Sequence, residues 1–107
     1  MNQQPTFSII TITYNAERWL ERTILSVLSQ SYPNIEYILI DGASKDKTVE
    51  IIKQYESGIA SWISEPDKGL YDAMNKGVKL VSGDIIGLIN ADDILATPNA
   101  FQIIVDT

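Results

Sequence analysis

Short β-branched apolar runs alternate along this chain with stretches whose apolar residues recur at helical spacing. Residues 7–13 set Phe7, Ile9, Ile10 and Ile12 among Ser and Thr, a strand composition. Over residues 17–30, Leu20, Ile24, Val27 and Leu28 share one helical face, with Asn15 as a suitable N-cap and Pro33 as a stop. Residues 35–41 form a second apolar run that ends in Asp41. Val49, Ile52 and Tyr55 mark a second helix, closed by Ser57 and Gly58. A weaker third strand covers residues 59–64. Leu70, Met74, Val78 and Val81 then supply the apolar stripe of a third helix, which Ser82 and Gly83 end. Residues 84–89 read as the fourth strand and run into Asn90, Ala91, Asp92 and Asp93, after which Pro98 begins a final helix. Trp19, Trp62 and Met74 are expected in the core.

Strands and helices in strict alternation, joined by short turns, predict right-handed crossovers and an α/β fold. The expectation is an open, mainly parallel Rossmann-like sheet of about four strands with flanking helices, one unit over residues 1–107. Parallel strands are normally covered on both faces. Four strands and a last helix leave such a sheet partly bare. The sequence therefore reads as a truncated, N-terminal part of a larger domain, or as one whose open side is buried in a homodimer.

Composition narrows the function classes. Hydrophobic residues make up 45% and charged residues 21%, ordinary values for a soluble globular chain. The net charge of −6 and the scattering of eight basic residues argue against nucleic acid as a partner, whose affinity comes from clustered Lys and Arg. Without cysteine there is no disulfide framework or thiolate site, and without histidine any metal must be held by oxygen. The N-terminus shows no basic segment followed by an apolar run, and no apolar stretch is long enough to cross a bilayer, so a cytoplasmic location is expected. A membrane anchor elsewhere in a longer protein, holding it at the inner face, is compatible with this.

Ligands of open parallel sheets bind outside the carboxyl ends of the strands. Each such end is polar here, and three carry carboxylates: Thr13-Tyr14-Asn15, Asp41 to Asp46, Ser64 to Gly69, and Asn90 to Asp93. Adjacent carboxylates at a strand end repel one another unless a cation lies between them, and Mg²⁺ takes one or two carboxylates plus substrate phosphates. Asp92 and Asp93 are the candidate ligands; their alternative is capping or turn support near Pro98. Asp41 is either a strand-terminal turn residue or an acceptor for a base N–H. Tyr14 is either a surface ring packed on Pro33 or a face for a pyrimidine. Lys68 and Gly69 precede the third helix, where a phosphate or ribose is well placed, or else form a solvated turn. Asn75, a poor helix former in mid-helix, is a candidate bridge between loops.

Taken in order, these blocks resemble the family-2 inverting glycosyltransferases of the GT-A fold, in particular members acting on bacterial surface and capsular polysaccharides of the colanic-acid type. The resemblance runs through residues 8–15, 26–33, 40–48, 64–77, 82–84 and 90–93. It implies transfer of a sugar from a nucleotide-sugar donor, a UDP-sugar, to a saccharide or lipid-linked saccharide acceptor, with Mn²⁺ or Mg²⁺ as cofactor. It implies that Thr11, Tyr14 and Asn15 border the uracil pocket and that Asp41 bonds the uracil ring. Asp67, Lys68 and Gly69 would lie along the uridine. Asp92 would be the last carboxylate of the family's DxD motif, binding metal and nucleotide, with Asp93 second. Three positions depart from the family pattern: Asn90 for Asp, Gly42 for a second Asp, and Ala43 for Gly. The family's catalytic base lies further along than residue 107, so none is assigned here and residues 1–107 alone are expected to be inactive. The alternatives are a nucleotidyltransferase fragment, which would want a Gly-rich basic loop after the first strand, and a non-catalytic nucleotide-binding or dimerisation module.

Overall fold

The computed structural model describes residues 5–90, so Asp92, Asp93 and the helix expected after Pro98 lie outside the described residues. Four strands, β1 (Phe7–Thr13), β2 (Ile35–Asp41), β3 (Ser61–Ser64) and β4 (Ile85–Leu88), alternate with the helices α1 (Leu20–Leu28), α2 (Thr48–Gln54) and α3 (Leu70–Val78). A 3₁₀ turn, Glu56–Gly58, leads into β3. Among the described residues every strand pairing is parallel, in the order β3-β2-β1-β4. The expected open parallel α/β sheet is therefore the fold.

Because side chains alternate across a strand, the two faces of the sheet are read directly from residue parity. Phe7 and Ile9 of β1 and Tyr37 and Leu39 of β2 pack with Leu20, Ile24, Val27 and Ile52 on the side of α1 and α2. Ile10, Ile38 and Ile40 point the other way and pack with Ala73 of α3. The chain thus crosses from β1 to β3 on one side and returns to β4 on the other. The reversal falls between β1 and β4, the topological switch point at which such sheets open a crevice.

Two helices differ from the expectation. α1 begins at Leu20 rather than at residue 17, and Asn15 is not its cap: with φ of 48° it is a turn corner, and the N-cap position is Trp19. The N–H groups ahead of α1 are satisfied from the neighbouring loop instead, Ala16 N–H by Thr48 Oγ1 at 2.8 Å and Glu17 N–H by Asp46 Oδ2 at 3.2 Å. Trp19, expected in the core, is 49% exposed, because the late start turns it outward.

The apolar face of α3 is the second correction. Leu70 and Val78 are exposed, Met74 is only half-buried, and the residues against the sheet are Ala73 and Gly77. A Cβ at Gly77 would lie 2.8 Å from Ile10 Cγ2. Small residues let this helix lie close on β1, and hydrophobic size was the wrong guide to its buried face. Asn75 is exposed.

At the amino ends of the strands, Glu36 gathers three hydrogen bonds. Its carboxylate accepts from Ser8 Oγ at 2.7 Å, Ser82 N–H at 2.8 Å and Ser82 Oγ at 2.7 Å, which ties β1 and β2 to the turn entering β4. The hydroxyls of Ser82 and then Ser8 hold its pKa below the ordinary carboxylate value.

Candidate functional site

The carboxyl ends of β1 and β4, with the start of α3, enclose a cleft of about 390 Å³ lined by Ile12, Thr13, Tyr14, Asp67, Gly69, Leu70, Ala73 and Asn90. It opens on the α3 side of the sheet, at the switch point, and its size suits a small organic ligand. Tyr14 is 58% exposed there, far from Pro33 at the other end of the sheet, so the ring is available as a wall. The oxygen Thr13 Oγ1 is buried and has no hydrogen-bond partner among the described residues.

The strap between β3 and α3 supplies Asp67, Lys68 and Gly69. Gly69 sits at the α3 N-cap with φ of 113°, a conformation that side chains rarely adopt. Its N–H donates to Asp67 Oδ1 at 3.1 Å, and Lys68 N–H donates to Asp72 Oδ2 at 2.9 Å. Lys76, one turn along from Asp72, reaches back to hold the strap. Its Nζ donates to the Pro66 carbonyl at 2.9 Å and lies 3.2 Å from Glu65 and 3.4 Å from Asp72. Burial works against the charged Lys76, but Glu65 and Asp72 outweigh it and its pKa is raised. The Lys68 N–H, with Lys76 behind it, lowers that of Asp72. Sequence reading missed Lys76 and Asp72, although their i, i+4 spacing in a helix was the available signal.

The loops after β1 and β2 are zipped together. Asn15 N–H donates to Ser44 Oγ at 2.8 Å, and Lys45 N–H donates to Asn15 Oδ1 at 2.8 Å. Asp46 holds Thr48 N–H at 2.9 Å besides Glu17 N–H. Partial burial opposes its charge, yet Thr48 and these N–H groups leave its pKa lowered. At the centre is Asp41, fully buried, whose carboxylate accepts from Ser44 N–H at 2.9 Å, from the Ser44 hydroxyl, and from Ser64 Oγ at 2.7 Å. Ala43 takes φ of 62°, where the family pattern has Gly.

Of the residues singled out in the sequence, the cleft thus brings together Tyr14, Asp67 and Gly69, with Lys68 beside them. Asn15 and Asp41 stand behind it as loop ties. Thr11 does not reach it: its side chain points to the α1 side, fully buried, with its hydroxyl 2.8 Å from Tyr37 OH. Ile12, one residue on, has the opposite parity and lines the cleft in its place. Among the described residues no three carboxylates or other metal-binding side chains gather, and Asn90 is the described residue nearest in sequence to Asp92 and Asp93.

Residues 8–106 match the profile of glycosyl transferase family 2. The chain belongs to that family. An uncharacterized glycosyltransferase of Mycobacterium tuberculosis is 44% identical over 100 residues, covering 92% of this chain and 38% of its own length. The chain therefore spans well under half of that relative. Among solved structures, S. aureus TarS in complex with UDP superposes with a TM-score of 0.83 at 22% identity, over 94% of this chain and 31% of TarS. The mannosyltransferase PcManGT from Pyrobaculum calidifontis, in complex with GDP-Man and Mn²⁺, gives a TM-score of 0.83 at 23% identity, over 94% of this chain and 32% of its own. At those identities the likeness is one of fold, and it matches the GT-A sheet found here. In this family-2 chain no helix among the described residues is long and apolar enough to cross a membrane.

Proposed function

We propose that the cleft holds the nucleotide of a UDP-sugar together with a divalent metal, and that the protein transfers the sugar to a saccharide or lipid-linked acceptor in bacterial surface polysaccharide synthesis. The observation that carries this reading is the position of the cleft. It lies at the switch point of a family-2 sheet, with an exposed aromatic ring on one side and the start of α3 on the other. Tyr14 offers its face to the base, while Asp67, Lys68 and Gly69 run beside the uridine. The N-terminal end of α3 adds positive potential toward the diphosphate, its own Asp72 being engaged by Lys68 N–H and Lys76. UDP bound to TarS and GDP-Man with Mn²⁺ bound to PcManGT support a nucleotide-sugar and a metal in this fold.

The donor set around the end of β4, Asn90 followed by Asp92 and Asp93, is all oxygen and suits a hard divalent ion. We assign Asp92 as first ligand and Asp93 as second. When bound, such a metal supplies charge neutralisation to a departing nucleoside diphosphate. In the transfer, the acceptor hydroxyl oxygen forms a bond to the anomeric carbon as the bond from that carbon to the diphosphate oxygen breaks. The hydroxyl proton passes to a carboxylate base, a role for which none of the residues of this chain is assigned.

Calorimetric titration of UDP with and without Mn²⁺, on the wild type and Asp92→Ala, tests the reading. UDP affinity is expected to require Mn²⁺ and to fall by about tenfold or more in the variant, the scale of a lost charge-assisted contact. Equal affinity in both proteins overturns the metal assignment, and no binding by the wild type overturns the site.

A further inference from the structure

We propose that Asp67, and not Asp41, is the carboxylate that reads the nucleobase, accepting the ring N–H of uracil on Oδ2 beside the Tyr14 ring. This rests on the nucleotide-binding reading above and assigns its base specificity. Parity decides against Asp41. It is paired with Thr13 and Ser64 across the sheet, and its side chain points to the α1 and α2 side, away from the cleft. It is fully buried, and Ser44 and Ser64 occupy both of its oxygens.

Gly42, the next residue, has the parity that faces the cleft but carries no side chain. The space is filled by Asp67: a Cβ built on Gly42 would lie 2.8 Å from Asp67 Oδ2 and 3.4 Å from Tyr14 Cδ1. A carboxylate therefore stands beside the exposed aromatic face, delivered from the β3–α3 strap rather than from β2. Its rotation is set by the bond from Gly69 N–H to Oδ1, and the strap behind it is held by Lys76 on the Pro66 carbonyl. Oδ2 has no hydrogen-bond partner among the described residues and is left to accept from a ligand.

A carboxylate acceptor at this point discriminates by chemistry. Uracil presents N3–H and gains a charge-assisted hydrogen bond, whereas cytosine presents a bare N3 lone pair and is repelled. An amide in place of the carboxylate can donate to that lone pair, so the preference should move.

The test is titration of wild type, Asp67→Asn, Asp67→Ala and Asp41→Asn with UDP, CDP and GDP in the presence of Mn²⁺. The wild type should prefer UDP over CDP by about tenfold or more. Asp67→Asn should bring that ratio to near one or reverse it, and Asp67→Ala should lose most of the UDP affinity. Asp41→Asn, if it folds, should keep the ratio. Gly42→Ala, whose methyl displaces the Asp67 carboxylate, should lower it, with unchanged melting of the Asp67 variants serving as the folding control. A ratio unmoved by both Asp67 substitutions overturns the proposal, as does a wild-type preference for CDP or GDP. A wild type that binds none of the three removes the nucleotide site itself, a different result from binding without selectivity.

Discussion

The hydroxyls of Thr11 and Tyr37 meet at 2.8 Å between β1 and β2, both side chains buried under α1. Burial pushes the Tyr37 phenol up from 10.0 to about 12, the Thr11 hydroxyl opposing the shift. Thr11, which its place in the family motif assigns to the uracil pocket, is thus the partner of a core phenol.

This pair predicts an alkaline transition. A raised folded-state pKa favours the neutral phenol, so its contribution is fully present below the unfolded value of 10.0 and is lost as pH rises through about 12. The shift corresponds to roughly 2–3 kcal/mol. Tyr37→Phe should lose about 1–2 kcal/mol at neutral pH, because the Thr11 hydroxyl is left unpaired. Its alkaline loss of stability should also be smaller than that of the wild type. Denaturant melts at pH 7, 10 and 11.5 read both effects, and parallel pH profiles for the two proteins contradict the assignment.

Gly77 gives a prediction against helix propensity. In an exposed helix, Gly→Ala gains about 1 kcal/mol. Here the added methyl would stand 2.8 Å from Ile10 Cγ2, between α3 and the sheet. Gly77→Ala should therefore lower stability, by about 1–3 kcal/mol as an overpacked contact. Thermal melting decides, and a stabilised variant would show that α3 does not lie so close to β1.

Lys76 is expected to act through the strap rather than on ligand. Lys76→Met should weaken UDP binding by about two- to fivefold, the worth of a partly exposed ion pair, with little change in melting. Lys76→Arg should restore most of the affinity. In pH terms, the pair loses Asp72 as pH falls through its lowered pKa and loses Lys76 as pH rises through its raised one. The contribution of this pair to UDP affinity should then be constant between those limits in the wild type. An affinity unaltered in the Met variant removes Lys76 from the positioning of Asp67.

How much was legible beforehand divides along a physical line. The strands over residues 7–13 and 35–41 were read with their observed bounds, because β-branched runs between turn residues are a local signal. The polar carboxyl ends were equally local, and they led to Tyr14, Asp67 and Gly69 in the cleft. The start of α1 was not, since the N–H groups of Ala16 and Glu17 just ahead of it are satisfied by Thr48 and Asp46, about thirty residues away in sequence. The buried face of α3 was missed because close approach to a sheet selects Ala73 and Gly77 over larger apolar residues, a preference that hydrophobic periodicity does not carry.

The sequence by itself determined the type of fold, the family and the end of the sheet at which chemistry gathers. These depend on residue type and on spacing over a few positions, which the chain states outright. Only the tertiary structure decided which side of a strand each candidate faces and what already occupies it. One residue of parity sends Thr11 and Asp41 to the side of α1 and α2 and leaves the Gly42 position to Asp67. That assignment depends on the pairing of β1 with β2 and on a strap arriving from a third strand, so it comes into being only when distant segments pack.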